Sequence, residues 1–342
     1  MSFKFTGKER ALTDPIPSPL PLDQFHQAAQ AILRELRKVI VGQEALIHDL
    51  LVTLLAGGNA LLEGVPGLGK TLLVRTLAEV LDCTFNRVQF TPDLMPADIV
   101  GTMIITVNES GQRGFRFERG PIFANLVLAD EINRAAPRTQ SALLEAMQEG
   151  RATVAGETHH LPQPFFVLAT QNPIEMEGTY PLPEAQLDRF LYKIDVPYPD
   201  ESQLVEIARR TTGPKIPAGE KVADGPTLLA MRDLAREVPL AEEVYRYAAR
   251  VVGATHPSST RAPDVVKRNV RVGASPRGVQ ALILAGKVEA LLDNRKAVAI
   301  DDLRHVARPA LRHRLILNFE AQAEGVSPDA IVEEILGKVE VR

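Results

Sequence analysis

Residues 64–71 read Gly-Val-Pro-Gly-Leu-Gly-Lys-Thr, and this stretch decides the fold. It satisfies the pattern G-x-x-x-x-G-K-[ST], in which glycines let backbone N–H groups curl around phosphate oxygens at the start of a helix. The Lys70 amine can reach the β- and γ-phosphates of a nucleotide, and the Thr71 hydroxyl can bind Mg²⁺. The stretch therefore predicts a nucleotide phosphate site. We assign to this site Gly64, Val65, Pro66, Gly67, Leu68, Gly69, Lys70, Thr71 and Leu72.

The surroundings of the glycine-rich stretch support this interpretation. A short apolar run over residues 60–63 reads as a strand before the loop, and residues 71–81 have helical spacing after it. Two further apolar runs, 126–129 and 165–170, also read as strands. Strands that alternate with helices in this way predict an α/β domain with a parallel sheet.

A pair of carboxylates, Asp130 and Glu131, follows one of these strands. At the end of a buried strand, Asp130 is placed to bind Mg²⁺, and Glu131 is placed to act as a general base on an attacking water. By itself, an apolar run before Asp-Glu equally describes a surface acidic pair. The complete phosphate loop upstream favours the catalytic interpretation.

The organisation of the chain changes near residue 200. Residues 1–21 contain four prolines and predict an extended lead-in. Residues 22–199 begin with a helical segment, for which Asp23 is the predicted N-cap, and continue with the strands described above. Residues 200–342 show helical periodicity alone, for example in one helix predicted over 300–317, and predict an all-α lid domain.

Two stretches interrupt the alternation of strands and helices. Residues 99–119 and 151–163 alternate with a period of two around glycines, which predicts two β-hairpin inserts. The second stretch contains His159 and His160. Because neighbours on a strand point to opposite faces, we expect solvent-exposed histidines there rather than a shared metal ion.

The composition is that of an ordinary globular protein. The 342 residues are 45% hydrophobic and 24% charged, which disfavours a disordered chain. A single cysteine, Cys83, excludes an intramolecular disulfide and a cysteine-rich zinc site. No run of about 18 apolar residues exists, so we expect no membrane insertion. The first residues lack the apolar run of a secretory signal, which predicts a cytoplasmic location.

The net charge of −4 conceals a basic segment. Residues 250–314 hold 13 Lys and Arg residues against 5 Asp and Glu residues. Such a segment raises the possibility of a nucleic-acid partner. Tryptophan is absent, aromatic residues make up 5% of the chain, and the hairpin stretches are not rich in basic residues, so stacking platforms for bases are scarce. We interpret the segment as a solvated lid face or a charge seam between subunits.

Taken together, these motifs resemble those of the MoxR family of AAA+ ATPases. The resemblance covers roughly residues 25–320 and implies a P-loop NTPase domain with hairpin inserts, a helical lid, and hydrolysis of ATP with Mg²⁺. It places residues 39–42 where this superfamily commonly touches adenine. Beyond the phosphate loop and the acidic pair, it rests on residues 130–140 (DEINRAAPRTQ), 169–173 (ATQNP), 183–190 (PEAQLDRF), 273–278 (GASPRG) and 307–314 (ARPALRHR).

The resemblance also implies roles for three further residues. Asn172 matches the polar sensor that holds the attacking water, although Asn-Pro is also a common turn. Arg189 matches the arginine finger that reaches a neighbouring subunit's nucleotide; the alternative is an ion pair with Asp188 or Glu184 within the chain. Arg277 matches the second sensor, in its own subunit or across an interface, and is otherwise one basic residue among many.

Partners and process follow from the resemblance alone. It implies a homo-oligomeric ring, with six subunits expected, whose two hairpins face a central pore. It implies a chaperone-like role in remodelling, activation or metal-centre assembly of protein clients, with a separately encoded von Willebrand factor A domain protein as partner. The alternative is an ATP-driven nucleic-acid motor. A GTPase is disfavoured because the sole candidate for its N-K-x-D motif, residues 192–195, lacks the Asn.

Overall fold

The structure is a computed structural model that describes residues 20–107, 111–173, 178–214 and 217–341. The expected lead-in over residues 1–21 lies outside the described residues except for Leu20 and Pro21. Residues 108–110, in the middle of the first predicted hairpin, also lie outside them.

A five-stranded parallel sheet forms the centre of the first domain. The strands of this domain are β1 (Ala60–Glu63), β2 (Phe85–Gln89), β3 (Gly101–Val107), β4 (Arg113–Arg119), β5 (Leu126–Asp130), β6 (Arg151–Val154), β7 (Glu157–His160), β8 (Phe166–Gln171) and β9 (Tyr192–Asp195). The sheet has the order β2-β5-β8-β1-β9, so the carboxyl ends of its strands lie at one edge. The predicted parallel sheet is confirmed.

Helices cover this sheet and form most of the lid. They are α1 (Leu22–Val39), α2 (Glu44–Leu55), α3 (Lys70–Val80), α4 (Pro96–Val100), α5 (Pro137–Glu149), α6 (Glu184–Leu187), α7 (Glu201–Thr212), α8 (Gly225–Glu237), α9 (Glu242–Ala254), α10 (Asp264–Asn269), α11 (Pro276–Leu292), α12 (Ile300–Leu311), α13 (Phe319–Ala323) and α14 (Pro328–Lys338). Within the described ranges, no helix has the length and apolar character needed to span a bilayer.

The start of α1 corrects one expectation. Pro21, with φ −60°, is the N-cap residue, and Asp23 lies in the first helical turn instead. The fixed φ of proline already suits the entry to a helix, so α1 begins two residues earlier than a cap at Asp23 would allow. Asp23 still favours this helix end because a negative charge offsets the positive end of the helix dipole.

The two faces of the sheet bury separate hydrophobic clusters. Leu62, Leu128 and Leu168 point to the face covered by α1, α2, α3 and the lid, and their cluster continues without a break into the lid. Their neighbours in the same strands point to the opposite face, where α5 covers them. Strand residues alternate between faces, so short apolar runs serve both clusters.

The lid is helical, as predicted, with one addition. Two short strands, β10 (Val270–Val272) and β11 (Ile316–Leu317), pair in antiparallel fashion within it. Helical periodicity predicted one helix over 300–317, but α12 ends at Leu311. The chain turns there because Arg312 and Arg314 reach back to the first domain, which a continued helix would not allow.

Both hairpin inserts are present as β3–β4 and β6–β7. Contrary to expectation, His159 is not solvent-exposed: its ring stacks on Phe117 of the other hairpin, with centroids 3.9 Å apart and planes at 13°. His160 is exposed as predicted. Farther out, Ile105 and Phe115 lie directly opposite each other and are 63% and 75% exposed. The first hairpin is therefore anchored by its base and presents apolar side chains to solvent.

Three arginines of the basic lid segment form a charge seam with the first domain of the same chain, whereas other basic residues of the segment, among them Arg261, Lys267 and Lys296, are exposed. Arg271 contacts Glu184, Arg314 contacts Asp188, and Arg312 pairs with the Asp195 carboxylate. Arg314 is buried, and it also donates to the carbonyl oxygens of Phe190 and Leu191. Burial lowers the pKa of Arg314 to about 10, while Asp188 opposes that shift, so Arg314 remains charged at neutral pH.

Candidate nucleotide site

The glycine-rich loop joins β1 to α3 and takes a backbone path that only glycine follows easily. Gly67 and Gly69 have φ values of +85° and +78°. A Cβ built at either position would have no neighbour within 4 Å, so the space beside the loop is free for phosphate oxygens. The Lys70 amine donates a 2.6 Å hydrogen bond to the Gly64 carbonyl oxygen, which ties the lysine to the loop.

A cleft of about 390 Å³ lies beside this loop at the carboxyl edge of the sheet. Because β1, β5 and β8 are adjacent and parallel, the residues that follow them converge on one place. The structure thus brings together the predicted phosphate, metal and base residues. The cleft is lined by Pro66, Gly67, Gly69, Lys70, Thr71, Arg87, Gln89, Asp130, Glu131 and Asn172.

Two side chains hold the Asp130 carboxylate in place. Arg87 donates from Nη2 and Nε to Oδ2, at 2.7 and 3.1 Å, and the Thr170 hydroxyl donates to Oδ1 at 2.6 Å. Charge-assisted contacts of this kind fix the orientation of a carboxylate. Asp130 therefore has a defined direction into the cleft before any ion arrives.

Glu131 occupies a turn with a positive φ of 57°. Its backbone N–H donates to the Thr170 hydroxyl oxygen at 2.8 Å, and its Oε2 accepts from Gln89 Nε2 at 2.9 Å and from Arg134 Nη1 at 3.1 Å. A non-glycine residue in the left-handed region is uncommon and is held there by its surroundings. Here the turn separates Glu131 from Asp130, so the two carboxylates serve different partners.

The chemistry of the cleft fits a nucleotide with Mg²⁺. A carboxylate and a hydroxyl, from Asp130 and Thr71, are the hard oxygen ligands that Mg²⁺ prefers. Burial lowers the pKa of Lys70, and the charges of Asp130 and Glu131 oppose this shift. Lys70 thus provides a partly desolvated amine that an arriving phosphate can bind strongly.

An apolar pocket of about 400 Å³ adjoins the phosphate cleft and shares Pro66, Gly67 and Gly69 with it. Its position and apolar walls suit a planar base. The segment over residues 39–42, expected near adenine, contributes three residues to the lining of this pocket. The part of the wall that α7 forms was not predicted. Val65, which was predicted to belong to the phosphate site, lines neither the pocket nor the cleft. The other lining residues are Val39, Ile40, Val41, Gln43, Leu68, Leu72, Tyr198, Pro199, Leu204, Ile207, Arg210 and Thr211.

Asn172 follows β8 and is 6% exposed in the wall of the phosphate cleft. This position, next to Glu131 along the same edge of the sheet, is compatible with an amide that holds a water. The role of Asn172 as a sensor remains a prediction.

Arg189 lies in a different cleft, of about 530 Å³, which shares no lining residue with the phosphate cleft. The alternative ion pair within the chain is not formed among the described residues, because Glu184 contacts Arg271 and Asp188 contacts Arg314. The Arg189 Nε is buried without a hydrogen-bond partner among the described residues. The other lining residues are Ser141, Glu145, Gln148, Glu149, Arg151, Thr153 and Gln186.

Arg277 also lies away from the phosphate cleft. Its Nη1 is 3.5 Å from Asp188 Oδ2, and its backbone N–H donates to the Ser275 hydroxyl, which in turn donates to Asp188. The structure therefore places Arg277 beside the residue that precedes Arg189. It brings the two predicted arginines to one side of the molecule and the phosphate-binding residues to another.

Three residues of the site were not predicted from the sequence: Arg87, Gln89 and Thr170. Arg87 and Gln89 are alternate residues at the end of β2, and Gln89 pairs in register with Asp130. The sequence signal for Arg87 and Gln89 was a pair of alternate polar residues at the end of a strand. This signal becomes informative only once β2 is known to lie beside β5, the strand that carries Asp130.

Comparison with known proteins agrees with this geometry. Residues 59–192 match the ATPase family associated with various cellular activities (AAA), and residues 263–335 match the AAA lid domain. Chaperone MoxR1 of Mycobacterium tuberculosis is 44% identical over 92% of this chain and 82% of its own length. Protein MoxR of Methylorubrum extorquens is 30% identical over 92% and 96%. The crystal structure of a candidate ATPase from Cytophaga hutchinsonii superposes with a TM-score of 0.87 at 42% identity, covering 93% of this chain and 96% of that one.

Proposed function

This chain belongs to the MoxR family of AAA+ ATPases and is an ATP hydrolase, and we propose that it hydrolyses ATP in a ring of identical subunits to remodel protein clients. The observation that carries the proposal is the separation of Arg189 from the phosphate cleft. A catalytic arginine that its own chain cannot bring to the nucleotide acts on the nucleotide of a neighbour.

The residues of the cleft divide the work of hydrolysis. Lys70 and the backbone of the loop bind the phosphates, while Thr71 and Asp130 hold Mg²⁺. Glu131 takes a proton from the attacking water, which the Asn172 amide orients. Mg²⁺, when bound, offsets negative charge on the phosphate oxygens. Gln89 and Arg134 fix the orientation of the Glu131 carboxylate through their hydrogen bonds to Oε2.

The arginines on the opposite side complete the site in the proposed ring. Arg189 stabilises the charge that develops on the transferred phosphate, a task that suits a planar guanidinium. Because Arg277 lies beside the same acidic residue, Asp188, we assign it to the neighbour's nucleotide as well. Six subunits are the number that the family resemblance implies.

The exposed hairpin favours a protein client. Ile105 and Phe115 present a paired apolar surface on β3–β4, and such surfaces mark contacts with proteins. Three arginines of the basic lid segment are paired with acidic residues of their own chain, which leaves them less available to nucleic acid. On the family resemblance alone, the proposed role includes activation or metal-centre assembly of clients in the cytoplasm, with a separately encoded von Willebrand factor A domain protein as partner.

A mixing experiment tests the ring. Lys70→Ala subunits cannot bind ATP productively, and Arg189→Ala subunits cannot complete a neighbour's site, so each variant alone is expected to be inactive. Mixed subunits are expected to recover part of the ATP turnover, because some interfaces combine an intact loop with an intact arginine. If the mixture stays inactive while sedimentation shows mixed assemblies, the assignment of Arg189 to a neighbour is wrong.

The client is tested with the Glu131→Gln variant, which is expected to bind ATP and hydrolyse it slowly. Proteins retained on this variant with ATP, and released with ADP, are the expected clients. The same capture with Phe115→Ser in addition is expected to lose them. Retention of nucleic acid alone would replace the chaperone proposal with the motor.

A further inference from the structure

Three side chains of the kind that bind metal ions meet at the contact between the two domains, and none of them lines the nucleotide cleft. His48 belongs to α2 of the first domain, and Glu289 and His305 belong to α11 and α12 of the lid. None of them has a part in the proposed hydrolysis. The sequence did not single them out, because the fold alone brings them together.

The distances between their ligand atoms are those of a compact site. His48 Nε2 is 3.4 Å from Glu289 Oε2, and His305 Nε2 is 3.9 Å from Glu289 Oε1. Each residue offers a ligand atom within 4.8 Å of the other two. In a tetrahedral zinc site with bonds of about 2.0–2.1 Å, ligand atoms are separated by roughly 3.3 Å. The separations in the cluster are somewhat longer, so metal binding would require the exposed His305 side chain to move inward.

Burial and charge also favour a cation at this place. Glu289 is 6% exposed, and among the described residues its ion-pair contacts are with the two histidines, not with any Lys or Arg. A buried carboxylate without a permanent counter-charge is costly, and a metal ion would supply one.

We propose that His48, Glu289 and His305 form a zinc site that ties the lid to the nucleotide-binding domain. Two imidazoles and one carboxylate suit Zn²⁺ and leave its fourth position open. The His305 side chain is 68% exposed and that of Glu289 is 8% exposed, so the cluster is accessible to solvent through His305. The competing arrangement is an ion pair in which protonated His48 neutralises Glu289 without any metal.

The test is a metal titration of the full chain, freed of metal and nucleotide, in an Asp130→Asn background that removes the acidic site of the phosphate cleft. Co²⁺ serves as the probe, because four-coordinate Co²⁺ absorbs visible light strongly and six-coordinate Co²⁺ weakly. We expect one equivalent with a four-coordinate spectrum that Zn²⁺ displaces. We also expect the melting temperature to rise with Zn²⁺.

Matched variants decide between the two arrangements. His305→Ala removes an exposed ligand without opening the core, and it is expected to lower the Zn²⁺ affinity by at least about tenfold. Glu289→Gln, of nearly the same shape, is expected to do the same. His160→Ala, which removes an exposed histidine elsewhere, is expected to change nothing. Absence of stoichiometric binding, a six-coordinate spectrum, or equal affinity in His305→Ala and the parent would overturn the proposal.

Discussion

The phosphate cleft and the Arg189 cleft hold their charged side chains in opposite ways. In the phosphate cleft, Asp130 is bound by Arg87 and Thr170, and Lys70 is bound by the loop. In the other cleft, the Arg189 Nε is buried without a hydrogen-bond partner among the described residues. In the first cleft, contacts within the chain hold the charged side chains in position before a ligand binds. The second also contains the carboxylates of Glu145 and Glu149, but Arg189 forms no ion pair with either of them among the described residues.

The strongest test of the first cleft is Glu131→Gln. We expect ATP turnover to fall about 10²–10⁴-fold with ATP binding retained, because a general base contributes this much and the loop is untouched. Turnover is measured by phosphate release, and binding by a fluorescent ATP analogue. The exposed Glu243→Gln serves as the control and is expected to match the parent. Unchanged turnover in Glu131→Gln would assign the base elsewhere.

The corresponding test of the second cleft is Arg189→Ala. We expect turnover of the assembled protein to fall about 10²–10³-fold, the effect of losing one preorganised donor to developing charge. Affinity for ATP should stay the same, since this arginine does not line its own phosphate cleft. Arg189→Lys should recover little, because an ammonium lacks the planar donor pair. A marked loss of ATP affinity in a single isolated subunit would show that Arg189 contributes to the nucleotide site of its own chain.

A smaller effect is expected for Arg277→Ala. If Arg277 gives one charged hydrogen bond to the neighbour's nucleotide, worth about 1.5 kcal/mol, turnover falls roughly tenfold. The free energy of unfolding should change by less than about 1 kcal/mol, because its 3.5 Å contact with Asp188 is half exposed and Arg314 still binds that carboxylate. Urea denaturation measures the second quantity. Equal losses in turnover and stability would mean that Arg277 is structural.

The smallest effect is expected for Arg271→Ala, which serves as the control for the other two arginines. Arg271 also pairs with an acidic residue near Arg189, but both members of its pair with Glu184 are exposed. The free energy of unfolding should change by less than about 1 kcal/mol, and turnover should match the parent. A loss of turnover comparable to that of Arg189→Ala would show that any charge removed from this side is harmful, and would weaken the specific role of Arg189.

The sequence predicted the first cleft more fully than the second. The loop residues and the Asp130–Glu131 pair follow strands at fixed spacing, so a local pattern specifies their place. Arg87 and Gln89 could not be found in this way, since their value depends on β2 lying beside β5. The part of the apolar pocket's wall that α7 forms could not be predicted for the same reason, because its position depends on the path of the chain after the sheet.

Two of the wrong expectations outside the nucleotide site share one physical cause. The helix predicted over 300–317 ends at Leu311 because two arginines beyond it bind the first domain. His159 was expected in solvent but stacks on Phe117 of the other hairpin. In both cases a contact between segments that are distant in the sequence overrides the local periodicity. A short window of sequence does not contain both partners of such a contact.

The hydrophobic cluster that α1 and α2 share with the lid has a mechanical consequence. Swinging the lid away from the sheet would expose side chains such as Phe25, Ala285 and Leu311, at a cost of about 25 cal/mol for each Å² of apolar surface. We expect a subunit built in this way to move as a rigid body. Conformational change would then occur mainly at its interfaces with other subunits. In the proposed ring each nucleotide would lie at such an interface, so we expect hydrolysis to change the angle between two rigid subunits rather than the shape of either one.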